Sequence, residues 1–195
     1  MECDKIINNQ PNIKTVKDLE NMEFKRYFID VDGVIIHSVK ATTNILNKKY
    51  NMNIKPQDIK SWNFIDKYPM MTEEEIEWIF TTNEFFDNVE FIKGAKKFML
   101  KHSKDVILIT KGQRENIKQK RIMLDLNGLE DIELIGIPLY ETKDIINMKS
   151  GVFIDDTTKN LNEVTTADYK VLFKEYDNYT EWSEGWNGNV MYSWE

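Results

Sequence analysis

Cysteine is almost absent: Cys3 is the only one in 195 residues. A lone thiol closes no intramolecular disulfide and builds no multi-cysteine metal site, so a reducing, cytoplasmic setting is expected. Arginine is nearly as scarce, with Arg26, Arg114 and Arg121 among 26 basic residues. Against 33 acidic residues this leaves a net charge of −7. Such a surface repels polyanions on average, which argues against nucleic acid and anionic membranes as partners. No apolar run approaches the roughly 20 residues of a membrane span. The opening MECDKIINNQ carries acidic and amide side chains where a signal peptide needs an apolar stretch. The 8 glycines and 4 prolines form no linker cluster, and there is no internal repeat or low-complexity tract.

What is present has globular proportions, 41% apolar and 30% charged, on a length suited to one domain with a small insertion. Five short runs rich in Val, Ile, Leu and Phe read as buried strands: 26–31, 105–109, 132–137, 151–154 and 169–173. Helix-period segments separate them. Val39, Thr42, Leu46 and Tyr50 make one stripe, Ala95, Phe98, Met99 and His102 another, and 114–127 ends at the C-cap candidate Gly128. The pattern predicts an α/β fold, a Rossmann-like parallel sheet with helices on both faces. More than 70 residues separate the first two strands, far more than a crossover needs. Thr72 and Glu75, at capping-box spacing, signal a helix inside that stretch. The expected organisation is an N-terminal extension (1–22), a core (23–36 and 90–195) and a small helical cap inserted after the first strand (37–89).

The first strand ends in Asp30-Val31-Asp32-Gly33-Val34. Alternation puts Asp30 and Asp32 on one side as the strand runs out, and Gly33 permits a sharp exit. An Asp-Gly turn with a solvated neighbour is the plain alternative. Two further apolar runs end in Thr110 and in Asp155-Asp156. In a parallel sheet all three ends share one edge, where open α/β sheets bind ligands. Four carboxylates around one point call for a hard cation with oxygen ligands, and Mg²⁺ is the expected one. Thr142 is a candidate N-cap for a short helix that would put Lys143 toward the cleft as a phosphate-facing cation. Lys149, about 9 Å further along at ~1.5 Å per residue, is the other choice, and either could be a plain surface lysine.

In this order, Asp30-x-Asp32-Gly33-Val34, Thr110, Lys143 and Asp155-Asp156 resemble the four motifs of the haloacid dehalogenase superfamily of phosphatases. The resemblance spans about residues 28–160. A narrower one is to the 5′(3′)-deoxyribonucleotidase-like family, through the Asp-Gly-Val ending, the small cap, the stretch Asp58-Ile59-Lys60-Ser61-Trp62, the Asp-Asp pair and the tail tryptophans Trp182, Trp186 and Trp194. His37 and Ser38 depart from that family, which more often has an acidic and an aromatic residue there.

The resemblance implies a Mg²⁺-dependent phosphomonoester hydrolase acting on nucleoside monophosphates through an aspartyl-phosphate. Asp30 would be the nucleophile and Asp32 the proton donor and acceptor, with Thr110 and Lys143 on the phosphoryl oxygens. Asp30, Asp155 and the backbone carbonyl of Asp32 would hold the metal, and Asp156 would fix a metal-bound water or orient Lys143. Trp62, Trp78 and Phe80 are base-stacking candidates, although aromatics at helical spacing also serve as cap core. Trp182, Trp186 and Trp194 are expected to pack the tail onto the core. Another small phosphomonoester, such as a sugar phosphate, is the alternative substrate, and an idle phosphate-binding module is the non-enzymatic alternative.

Overall fold

A computed structural model describes residues 12–22, 24–60, 64–176 and 180–195. Cys3 and Trp62 lie outside them. Six parallel strands form the sheet: β1 (Arg26–Asp30), β2 (Val106–Lys111), β3 (Glu133–Ile137), β4 (Gly151–Asp155), β5 (Tyr169–Phe173) and β6 (Asn189–Met191), ordered β3-β2-β1-β4-β5-β6. The first five coincide with the expected runs to within a residue or two. The sixth was not expected, because three residues among Gly and Asn leave no periodic signal.

Strand alternation explains why both faces are covered. Tyr27 and Ile29 of β1, Val152 and Ile154 of β4, and Val171 and Phe173 of β5 enter one apolar cluster, while Phe28, Phe153 and Leu172 enter another. The first cluster is closed by α1 (Val16–Asn21), α5 (Ala95–Lys101) and α6 (Arg114–Leu126), through Leu19, Phe98, Met123 and Leu124. The second takes Leu161 from α7 (Thr158–Glu163). Strands buried on both faces read as near-continuous apolar runs, which is why the sheet was legible.

Between β1 and α5 lie α2 (Ser38–Tyr50), two 3₁₀ turns, α3 (Glu73–Ile79) and α4 (Asn83–Asn88). They share a third apolar cluster with Val39, Leu46, Phe64, Tyr68 and Phe85. The chain enters and leaves this region side by side: His37 N–H donates to the Glu90 carbonyl at 2.9 Å and Ile92 N–H to the Ile35 carbonyl at 2.8 Å. Thr72 takes the N-cap position of α3 but makes no side-chain cap bond. The capping box expected there is incomplete, and the Glu75 carboxylate accepts from Lys49 and Tyr50 of α2.

The two ends of the chain close the core together. Ile13 N–H donates to Asn189 Oδ1 at 2.8 Å, and Ile13 and Leu19 are fully buried. Trp194 packs on Phe98 and Phe173, and its indole N–H donates to the Val34 carbonyl at 2.7 Å. The tail therefore braces the turn that follows Asp32. No helix among the described residues is long and apolar enough to cross a membrane.

Candidate active site

Strand register brings the polar ends together. Ile29 pairs with Ile154, so Asp30 and Asp155 finish adjacent strands side by side, and Asp30 pairs with Ile109, one residue before Thr110. In the order β3-β2-β1-β4-β5-β6, β1 and β4 flank the point where strand order reverses, the usual ligand crevice of such sheets. Gly33, at φ +68°, turns the chain away; a Cβ there would lie 2.4 Å from Asp156 Oδ2. The glycine thus supplies both a left-handed turn and room for a carboxylate.

Lys143 is buried at the centre of the group. A single 3₁₀ turn, Lys143–Ile145, replaces the expected short helix, with Thr142 Oγ1 accepting from Asp144 N–H at 3.2 Å. Lys143 Nζ donates to Asp30 Oδ1 at 2.5 Å and to Asp155 Oδ2 at 2.6 Å. Lys149 is exposed and takes no part. Asp155 is further held by Thr157, through N–H and Oγ1 at 2.9 Å, and by Asn160 Nδ2 at 3.1 Å.

Burial drives the electrostatics. It lifts the Asp30 carboxyl to about 7, with Asp155 and Asp32 adding to the rise and Lys143 opposing it. Asp156 is pushed well above the ordinary carboxylate range by burial and by Asp155 and Asp30. For Lys143, burial disfavours the ammonium, but Asp155 and Asp30 outweigh it and hold its pKa above that of an ordinary lysine.

Asp30, Asp155 and Asp156 each offer a carboxylate oxygen within 4.8 Å of the others. Asp156 Oδ2 is buried without a hydrogen-bond partner among the described residues. An oxygen-only, buried, like-charged donor set of this kind fits a hard divalent cation. The Asp32 carboxylate is not in this trio. Its Oδ2 accepts from the ammonium of Lys120, a residue that sequence reasoning missed. A signal for Lys120 did exist: Asn116, Lys120, Met123 and Leu124 form the buried stripe of α6, and a lysine interrupts it.

A cavity of about 640 Å³ opens on the group, lined by Asp30, Asp32, Lys143 and Asp156, by Ile76, Glu77 and Phe80 of the inserted region, and by Trp182 of the tail helix α8 (Thr180–Ser183). Phe80, one of the three aromatics singled out for base stacking, therefore lines the cavity. Trp78 does not line the cavity and is 58% exposed. Trp182 packs in the third apolar cluster, with the inserted region, and also walls the cavity, whereas it was expected to pack the tail onto the core. Gln113 and Asn116 at the start of α6 bridge to the inserted region, at 2.7 Å to Glu77 Oε2 and 2.6 Å to the Phe80 carbonyl. His37 pairs with Glu175 of the tail.

Among solved structures, a haloacid dehalogenase-like family hydrolase from Streptococcus pneumoniae aligns with a TM-score of 0.55 at 8% identity, over 87% of this chain and 93% of that one. A HAD family hydrolase from Deinococcus radiodurans, solved with phosphate and sodium, aligns at 0.56 and 13% identity over 88% and 92%. At such identities the likeness is one of fold. No curated protein matches the chain. The model of the family described as 5′ nucleotidase, deoxy (Pyrimidine), cytosolic type C protein matches residues 26–186, from the first residue of β1 past α8. With its aspartates, threonine and lysine gathered at one sheet edge in that frame, the chain belongs to this family, a phosphatase of the haloacid dehalogenase fold.

Proposed function

We propose that the chain hydrolyses nucleoside monophosphates, deoxyribonucleotides among them, with Mg²⁺ and through an aspartyl-phosphate on Asp30. The observation that carries this reading is one cavity lined by both the carboxylate–lysine group and an apolar wall of Ile76, Phe80 and Trp182. Such a cavity offers a phosphate end and a surface for a base. Residues 37–89 would serve as the cap, and a cytoplasmic location accords with the family.

Asp30 attacks phosphorus, and the bond to the leaving oxygen breaks as the aspartyl-phosphate bond forms. Asp32 gives its proton to the leaving oxygen. It then takes one from the water that splits the aspartyl-phosphate, releasing phosphate and restoring Asp30. Thr110 and Lys143 bind phosphoryl oxygens; Lys143 uses two of its three N–H donors on Asp30 and Asp155, which leaves one for substrate. Asp30, Asp155 and the Asp32 carbonyl would hold Mg²⁺, with Asp156 on its water. When bound, the ion offsets negative charge on the carboxylates and the phosphate.

Phosphate release from a panel of nucleoside monophosphates and sugar phosphates, with Mg²⁺ and with EDTA, tests the reading. Preference for a deoxynucleotide, loss in EDTA and loss in Asp30→Asn are expected. Activity that survives EDTA or Asp30→Asn would overturn the mechanism. A sugar phosphate preferred over every nucleotide would replace the substrate, and tight binding without turnover would leave an idle phosphate-binding module.

A further inference from the structure

Lys120 is a buried lysine that none of the four motifs includes. It is 1% exposed, and its Nζ donates to Asp32 Oδ2 and, at 2.7 Å, to Thr110 Oγ1. Its position on α6 explains the reach. Helical side chains lean toward the helix N-terminus, which here lies just beyond the end of β2, so a long side chain six residues in returns to the strand ends.

The donor–acceptor chemistry makes the contact directional. An ammonium only donates, so Thr110 Oγ1 must accept from it, and the hydroxyl proton of Thr110 remains to be donated elsewhere. A phosphoryl oxygen needs such a donor. On Asp32, Lys120 occupies Oδ2, while Oδ1 is buried without a hydrogen-bond partner among the described residues and Asp32 lines the cavity. One oxygen is anchored by Lys120, and the other carries no competing hydrogen bond among the described residues. We propose that Lys120 is a positioning residue that orients Asp32 toward the leaving oxygen and turns Thr110 into a donor for the phosphoryl group. The proposal rests on the reading of Asp32 as proton donor, and it concerns where these groups point rather than their pKa values.

The test compares two phosphomonoesters with the full-length protein and Mg²⁺. One is the best alkyl substrate of the panel above, thymidine 5′-monophosphate in the first instance, whose leaving oxygen needs a proton. The other is p-nitrophenyl phosphate, whose phenolate leaves without one. Lys120→Met should lower kcat/KM, which reports the steps up to departure of the leaving group and not the later aspartyl-phosphate hydrolysis common to both esters, about 100-fold on the alkyl ester and about tenfold or less on the aryl ester. Equal losses on the two esters, or a loss under about threefold on the alkyl ester, would overturn the proposal. If Lys120→Met does not fold by circular dichroism, Lys120→Gln, which keeps an amide donor, carries the same comparison. Asp32→Asn, run in parallel, separates the two levels. Equal losses in Asp32→Asn would sink the proton-donor reading itself; a split in Asp32→Asn without one in Lys120→Met would sink only the positioning role.

Discussion

Lys143 holds Asp30 and Asp155 where water is excluded, and Asp156 lies close by. Removing the ammonium leaves buried carboxylates without their protein cation, a loss of about 3–5 kcal/mol for such a pair. Lys143→Met should therefore melt lower than the wild type in EDTA. Because a divalent ion would offset the same charges, Mg²⁺ should raise the variant's Tm by more than it raises the wild type's, as read in a thermal-shift titration. At Gly33 the constraint is steric. A side chain there meets a left-handed backbone, worth about 1–2 kcal/mol, and a carboxylate oxygen at 2.4 Å. Gly33→Ala should lose stability in urea unfolding and lose activity with it. At this scale the aspartates and Thr110 were legible because each ends an apolar run. Lys120 was not singled out, because one of 23 lysines is distinguished only by the stripe it interrupts.

Among the elements, α1 ties the N-terminal segment to the core. Thr15 and Asp18 form a capping box, and Leu19 is fully buried. Thr15→Ala should cost about 1 kcal/mol and Leu19→Ala about 2–5 kcal/mol, both measured by urea unfolding. Glu20 of the same helix accepts from His102 and Lys101 at the end of α5, and these bonds hold its carboxyl below the ordinary glutamate value of 4.5. A depressed carboxylate stabilises the fold above its unfolded pKa and loses that contribution as pH falls through the folded one. The difference in unfolding free energy between Glu20→Gln and the wild type should be present at pH 7 and vanish as the pH falls below that value. Helix and strand positions were mostly legible from periodicity. The failures lay at α3, where the Thr72 side chain makes no cap bond and Glu75 also bonds to α2, and at β6, which is too short to carry a pattern and depends on its pairing with β5.

For the whole molecule, the cavity is the product of three distant segments: the strand ends, the inserted region and the tail. Trp182→Ala should raise KM for a nucleoside monophosphate about tenfold, the scale of losing one base-stacking partner. Inhibition by inorganic phosphate should stay unchanged, because the phosphate end is built from other residues. On the proposed reading, Lys143 at the sheet edge would supply the local attraction for an anionic substrate that the acidic mean field lacks.

By itself the sequence determined five of the six strands, the edge on which the carboxylates and Thr110 gather, and the family resemblance. These depend on local alternation and on strand ends, which are written in consecutive residues. Tertiary structure decided that Lys143 rather than Lys149 enters the site, that Lys120 reaches Asp32 and Thr110, and that Phe80 and Trp182 rather than Trp78 wall the cavity. Those choices join residues far apart in the chain, 88 positions for Lys120 and Asp32 and 113 for Lys143 and Asp30. No periodicity within one segment encodes them, because they arise only when separately folded elements pack against each other.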